Sequence, residues 1–150
     1  MTPRSTRPCD RGNQSEGAVL AALLKLGRTV LVPYGRTCSY DLVIEDAGRF
    51  VRIQVKTGWL RDGALAFNAC SQPRGQLRRT YKGLADLFAV YSPELDAVYL
   101  VPVDGLPEGR TDARLRVDPP RNRQRKGILW AEPFRLTRSA AVYNLATTPP

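Results

Sequence analysis

The chain has 150 residues, of which 43% are apolar and 25% are charged, so we expect one soluble domain with a packed core. It has 23 lysines and arginines against 14 aspartates and glutamates, which gives a formal charge of +9 at pH 7. It contains no histidine, which excludes Ser-His-Asp and Cys-His catalytic systems and zinc sites that depend on histidine ligands. Hydrolytic chemistry would have to use carboxylates, amides, lysine and a metal ion.

Cysteine usage and hydropathy give an expectation about location. Cys9, Cys38 and Cys70 are odd in number and widely spaced, which predicts neither a disulfide framework nor a zinc site. The amino terminus lacks the apolar segment of a signal peptide, and no segment approaches the roughly 18 consecutive apolar residues of a membrane-spanning helix. We therefore expect a cytoplasmic protein with no membrane partner.

The first elements are a helix and a short strand. Residues 1–12 are polar and are expected to form a loose arm. Apolar residues recur at helical spacing from Asn13 to Leu26, and Gly27 is suited to end this helix. Residues 28–32 are rich in strand-forming side chains and are followed by a proline, so a short strand is predicted there.

A β-hairpin is predicted next, from residues 40–45 and 50–57. Antiparallel pairing around the turn matches positions whose numbers sum to 95, which places Asp41 opposite Gln54. Because side chains alternate along a strand, Gln54 and Lys56 share the face opposite the apolar residues of their strand. The hairpin thus gathers Asp41, Gln54 and Lys56 on one polar face.

The rest of the chain contains apolar runs and two basic segments. Strands are predicted at 65–69, 87–91 and 97–103, a short strand at 128–130 and a terminal helix at 139–146. Residues 74–82 hold four cations and no acid, and residues 110–126 hold seven cations and two acids. Both basic segments are expected to be loops, the second within a long loop over 104–127.

The charge and its arginine-rich character predict an anionic polymer, above all nucleic acid, as the partner. A basic surface that serves solubility alone is the alternative. Tyr81 and Trp59 are candidates to stack on DNA, although aromatic side chains near strand ends commonly belong to the core edge. The predicted phosphate contacts are Arg74, Arg78, Arg79 and Lys82 in the first segment, and Arg121, Arg123, Arg125 and Lys126 in the second.

The polar face of the hairpin has the groups that phosphodiester hydrolysis needs in the absence of histidine. A divalent cation requires oxygen ligands, which the Asp41 carboxylate, the Gln54 side-chain carbonyl and the backbone carbonyl of Val55 could supply. Lys56 could orient water or stabilise the negative charge of the transition state. The alternative is that these polar residues are only the hydrated face of an amphipathic strand.

These residues also resemble a known family, the PD-(D/E)XK phosphodiesterase superfamily. Within it, the chain is most similar to the group I intron-encoded homing endonuclease branch, in which glutamine replaces the second acidic residue. Tyr40 stands where the superfamily has proline, and Gln54 leaves the site one negative charge short, which implies weaker metal binding. The resemblance spans Gly12 to Val103 and is carried by Glu16, Tyr40-Asp41, Gln54-Val55-Lys56-Thr57-Gly58, Asp86 to Tyr91 and Val98 to Val103.

The resemblance implies a restriction-endonuclease-like core over residues 1–150, an α/β (α+β) fold with a mixed central β-sheet flanked by helices. It implies a DNA endonuclease that uses Mg²⁺, with Mn²⁺ able to substitute, and that cuts double-stranded DNA as a homo-oligomer. Glu16 would be an accessory acid of the active site, although Asn13 and Glu16 also have the spacing of a helix cap. Holliday-junction resolvases and restriction-type nucleases share this core, and a binding module with a decayed site is a further alternative.

Overall fold

The computed structural model describes residues 7–35, 37–71, 75–124 and 126–138. Its one α-helix in these ranges, α1, spans Pro8–Lys25 and so begins five residues before the predicted start at Asn13. Proline is favourable at the first helical position, and the Asp10 carboxylate accepts a hydrogen bond from the backbone N–H of Arg7 at 3.2 Å. Asn13 therefore lies inside the helix, and its predicted capping role is wrong.

The carboxyl end of α1 is where the sequence predicts it. Gly27 has a φ of +73° and donates its N–H to the carbonyl of Leu24 at 2.9 Å. A left-handed glycine at this position is a common way to satisfy the last carbonyls of a helix. The part of the chain that the structure describes contains no helix whose length and apolar character would let it span a membrane.

Ten strands follow α1 in the described residues and form three sheets. The central sheet has five strands in the order β1-β2-β3-β8-β9, the small sheet has the order β10-β5-β4, and β6 pairs with β7. The strands are β1 (Thr29–Leu31), β2 (Leu42–Asp46), β3 (Arg49–Thr57), β4 (Trp59–Arg61), β5 (Ala64–Asn68), β6 (Cys70–Ser71), β7 (Arg79–Thr80), β8 (Leu87–Ser92), β9 (Ala97–Pro102) and β10 (Asp112–Arg116).

The β2–β3 hairpin has the predicted register. Asp46 pairs with Arg49 and Leu42 pairs with Ile53, so paired positions sum to 95. The turn consists of Ala47 and Gly48, which have φ values of +50° and +77°. Two consecutive positive φ angles are typical of the two-residue turns that match the twist of paired strands. The central sheet is mixed because β3 pairs with β8 in parallel and its other pairs are antiparallel.

The molecule has three layers, with the central sheet in the middle. On one face, Val19 and Leu23 of α1 pack against buried residues of β2, β3, β8 and β9. The other face packs against the small sheet through Phe88 and Val90 of β8, which contact the cluster containing Leu65 of β5. This α+β arrangement confirms the predicted fold class, with α1 as the helix that covers the sheet in the described residues.

Three expectations about local structure are corrected or lie outside the described residues. The expected loop over 104–127 contains β10, in which Ala113 and Leu115 alternate inward between polar residues. A strand with two apolar positions among arginines gives too weak a pattern to predict. Residues 128–130 contribute only a bridge between Trp130 and Arg116, and the predicted helix at 139–146 is outside the described ranges.

Candidate active site

The site begins with a contact between Asp41 and Gln54 across the paired strands. Gln54 Nε2 donates a hydrogen bond to Asp41 Oδ2 at 2.7 Å, and the backbone N–H of Val55 donates to the same oxygen at 2.8 Å. Gln54 Nε2 also lies 3.3 Å from the backbone carbonyl of Val55. The three residues proposed from the sequence as oxygen ligands are thus in mutual contact.

The environment of Asp41 makes its charge costly. Burial raises the pKa of the Asp41 carboxyl, and this effect exceeds the lowering by the Val55 N–H and by the Lys56 ammonium group. The other carboxylate oxygen, Oδ1, receives no hydrogen bond from the described residues. Asp41 therefore offers a partly dehydrated carboxylate with one oxygen available to a cation.

Lys56 is held by Tyr81, which the sequence predicted to stack on DNA. The Nζ atom of Lys56 donates to the hydroxyl oxygen of Tyr81 at 3.1 Å and lies 4.4 Å from the centre of the Tyr81 ring. The ring is 8% exposed and packs edge-on against Phe88 with centroids 5.4 Å apart. A stacking contact with DNA would require the Tyr81 ring to leave the core, so its placement favours a contact with Lys56 instead.

The Asp41–Gln54 pair opens onto a cavity of about 320 Å³. Arg79 of β7 lines this cavity together with the pair, which brings one predicted phosphate contact to the site. The cavity is bounded on its other sides by Cys38, Ser39, Ser71, Thr80, Tyr81 and Leu84. In this cavity a phosphate group could reach both the Asp41–Gln54 pair and the guanidinium group of Arg79.

Glu16 lies in the third turn of α1, and the charge of Asp41 acts on its carboxyl group. Its side chain is exposed overall, but partial burial and the charge of Asp41 raise the pKa of its carboxyl. Glu16 makes no side-chain hydrogen bond or ion pair with another described residue. Its neighbour Ser15 is buried and lies 2.6 Å from Thr57, oxygen to oxygen, which ties α1 to the end of β3.

An ion pair that the sequence did not predict joins Arg52, on the polar face of β3, to Asp86. Arg52 binds Asp86 through its backbone N–H at 2.7 Å and through Nε and Nη2 at 3.1 and 2.9 Å. Burial acts to raise the pKa of Asp86, but these hydrogen bonds outweigh it and lower the pKa. The pair holds β3 against the residue that precedes β8. The sequence alone does not predict it, because Arg52 and Asp86 are 34 positions apart.

The remaining predicted DNA contacts lie in several places. Arg78 donates to the hydroxyl of Thr111, and Lys82 forms an exposed ion pair with Glu108. Arg121, Arg123 and Lys126 are exposed in the segment after β10. Arg74 and Arg125 lie outside the described residues, and Trp59 is 37% exposed beneath the guanidinium group of Arg11.

A sequence profile described as PD-(D/E)XK endonuclease matches residues 6–137. The chain is similar to the solved bacterial homing endonuclease I-Ssp6803I, with 26% identity, a TM-score of 0.64 and 86% of each chain covered. It is also similar to the Holliday junction resolvase Hjc of Archaeoglobus fulgidus, with 20% identity, a TM-score of 0.45 and coverage of 71% of this chain and 84% of that one. Comparison with curated proteins gives no match.

The central mixed sheet, with Gln54 and Lys56 on β3 and Asp41 immediately before β2, has a restriction-endonuclease-like fold. The chain belongs to the PD-(D/E)XK endonuclease family. Members of this family generally use divalent metal ions.

Proposed function

We propose that the protein is a metal-dependent endonuclease that hydrolyses double-stranded DNA, and that it acts as a site-specific homing endonuclease. The observation that carries this proposal is the contact of Asp41 with Gln54 across β2 and β3, with Lys56 on the same face. The similarity to a bacterial homing endonuclease over 86% of both chains supports the homing role over junction resolution.

The donor atoms of the site suit a hard divalent cation such as Mg²⁺ or Mn²⁺. Asp41 Oδ1, the side-chain oxygen of Gln54 and the backbone carbonyl of Val55 are all oxygen donors. In the structure the amide nitrogen of Gln54 faces Asp41, so a cation between them requires the amide to turn and present its oxygen. No cluster of three acids or cysteines exists in the described residues, so the amide would have to complete the site.

The chain's own groups account for the rest of the chemistry. A bound divalent cation supplies Lewis acidity towards a phosphate oxygen. The charge of Lys56 acts on Asp41, and Lys56 is held by the Tyr81 hydroxyl, so its ammonium group can stabilise negative charge that develops on the phosphate. Arg79, on the wall of the same cavity, can hold a neighbouring phosphate.

Cleavage of both strands requires two active sites, so we propose that the protein works as a homo-oligomer. The homing role predicts a group I intron origin. This is tested by whether the gene lies inside a self-splicing intron. Neither the resolvase alternative nor the decayed-site alternative has a specific observation in its favour.

The deciding experiment compares DNA cutting and DNA binding in the same variants. Wild-type protein is expected to cut a long linear duplex that contains its target in Mg²⁺ or Mn²⁺ and not in EDTA. Asp41→Asn and Lys56→Met are each expected to cut about 10²–10³-fold more slowly while retaining DNA binding in a gel-shift assay. Lys25→Gln, at the exposed end of α1, is the control for loss of one cation.

Two results would contradict the proposal. Equal cutting by the wild type and the Asp41→Asn variant would remove the site assignment. Faster cutting of a four-way junction than of any linear duplex would replace the homing role with junction resolution.

A further inference from the structure

We propose that β1, at the open edge of the central sheet, pairs with β1 of a second copy of this chain, and that this pairing presents two active sites on one side of a continuous sheet. The inference rests on the proposed function, because cutting both strands of a duplex requires two active sites. It goes beyond that function because it identifies the surface that joins the two copies and the direction in which each active site then faces.

The other outer edges of the central sheet and the small sheet are covered. At the outer edge of β9, Leu136 donates its backbone N–H to the carbonyl of Val98 at 2.8 Å. The outer edge of β10 exchanges backbone hydrogen bonds with residues 129–131. In β4, the backbone N–H of Leu60 donates to the Glu94 carboxylate at 2.7 Å. Proteins cover strand edges in such ways because unpaired N–H and C=O groups readily bind another strand.

The outer edge of β1 has no such cover within the described ranges. β1 pairs with β2 along its inner edge, and no described residue forms a hydrogen bond with its outer edge. Apolar side chains are exposed on β1 and just after it, at Leu31, Val32 and Tyr34. This edge therefore combines unpaired backbone groups with apolar surface, and both are stabilised by contact with a protein partner.

A second copy of the same strand suits this edge because residues 29–32 contain no charged side chain. When two identical strands pair about a two-fold axis, a charge on the strand would come to lie near the same charge of the partner. Here the residues that face one another come from Thr29, Val30, Leu31 and Val32 of both copies, which are all favourable in strands. The lack of positive charge on β1 disfavours DNA as its partner.

The symmetry of such a pair determines where the two active sites face. The two-fold axis that relates neighbouring antiparallel strands is perpendicular to the sheet, so the same face of both copies lies on the same side. Gln54 and Lys56 point to the face opposite α1, because the apolar residues that alternate with them on β3 pack towards α1. Both sets of catalytic residues would then lie on one side, which is the arrangement needed to cut the two strands of one duplex.

The strand order also sets the separation of the two active sites. The path from β3 of one copy to β3 of the other crosses β2 and β1 and then the same two strands of the partner, which makes five strand-to-strand steps. At about 4.8 Å for each step, the two hairpins would lie about 24 Å apart. Since a base pair adds about 3.4 Å to a duplex, this separation corresponds to about seven base pairs, and both sites fit on one duplex.

The test compares an edge variant with a matched control. The edge variant carries Leu31→Lys and Val32→Lys, which place like charges opposite one another in the proposed pair. Both side chains are exposed in the single chain, so lysine can be accommodated there. The control variant carries Phe50→Lys and Leu77→Lys, which also replace two exposed apolar residues with cations but lie outside β1.

Self-association is measured by sedimentation velocity without DNA. A salt concentration of about 0.3 M screens the repulsion between chains of charge +9, and circular dichroism verifies that each variant is folded. Hydrogen exchange of the amides of residues 29–32 reports on the pairing of β1 itself. Cutting is followed on a supercoiled plasmid that wild-type protein linearises.

Wild-type protein and the control variant are expected to self-associate with residues 29–32 protected from exchange. The edge variant is expected to self-associate about 100-fold more weakly, because two apolar side chains of each copy no longer become buried. Its amides in this segment are expected to exchange faster than those of the wild type. On the plasmid it is expected to nick one strand and to accumulate the nicked circle, since each copy then acts alone.

A monomeric wild type, unchanged self-association of the edge variant or equal weakening in both variants would overturn the inference and leave the proposed nuclease intact. Unchanged self-association with weaker DNA binding in the edge variant would assign this edge to DNA and also overturn it. If wild-type protein cuts no duplex DNA, the proposed function itself fails, and sedimentation still decides whether β1 joins two copies.

Discussion

Replacing Gly58 with alanine is expected to destabilise the protein, because this glycine joins β3 to β4 at a point where a side chain would meet the core. A methyl group at Gly58 would lie 2.8 Å from Cγ and Cδ1 of Leu65 and 2.8 Å from Cγ1 of Val90. Both of those side chains are completely buried, so they have little room to move aside. The N–H of Gly58 also donates to the carbonyl of Tyr91 at 2.8 Å, which holds the backbone in place.

Adding a carbon atom to a packed core typically costs about 1–3 kcal/mol. For a chain of this size, each kcal/mol lowers the melting temperature by about 2–4 °C, so Gly58→Ala is expected to melt roughly 2–12 °C below the wild type. Gly17→Ala is the matched control, since it makes the same chemical change in the middle of α1 with no atom within 4 Å. It is expected to stabilise the protein by about 0.5–1 kcal/mol.

The assay is thermal unfolding followed by circular dichroism, supported by urea titration of each variant. A Gly58→Ala protein that melts at or above the wild-type temperature would refute the packing argument. A double variant with Val90→Ala is expected to recover part of the loss caused by the added methyl group, because the smaller side chain makes room for it.

Three further variants test the polar face. Tyr81→Phe keeps the buried ring and removes the acceptor for Lys56, so cutting is expected to slow about tenfold with DNA affinity and melting temperature unchanged; an unchanged rate would show that the hydroxyl does not position the lysine. Because the pKa of Asp41 is raised in the fold, its ionised form costs stability above pH 3.8, so Asp41→Asn in EDTA is expected to melt higher than wild type at pH 7, with the difference vanishing at more acidic pH. A lower melting temperature at pH 7 would contradict this. The pKa of Asp86 is lowered, so its pairing with Arg52 adds stability above pH 3.8 that is lost as the pH falls through the lowered value. Asp86→Asn is therefore expected to reduce the melting temperature at pH 7 and to flatten its dependence on acid, and an unaltered acid profile would rule out this contribution.

The hairpin and its polar pair could be predicted from the sequence because both depend on local geometry. A short turn between two strands fixes the register, and the register alone places Asp41 opposite Gln54. The end of α1 could also be predicted from the sequence, because a single glycine, Gly27, indicates where the helix ends.

The contacts that complete the site could not be predicted, because they join residues far apart in the chain. Lys56 meets Tyr81 after 25 residues, and Arg52 meets Asp86 after 34. Composition assigned Tyr81 to DNA because it lies among cations, whereas the packing of its ring against Phe88 decides its position. The alternation of β10 was also missed, because two of its three polar positions are arginines that the sequence analysis assigned to a basic loop.

The Asp41–Gln54 pair is built within one hairpin, and the two-residue turn at Ala47-Gly48 sets the register of that hairpin. Inserting or deleting one residue in this turn would move Asp41 out of line with Gln54 and turn the side chains of one strand to the opposite face of the sheet. Insertions in the loops between the strands of the small sheet leave this register unaltered, because in the described residues those strands pair only with one another.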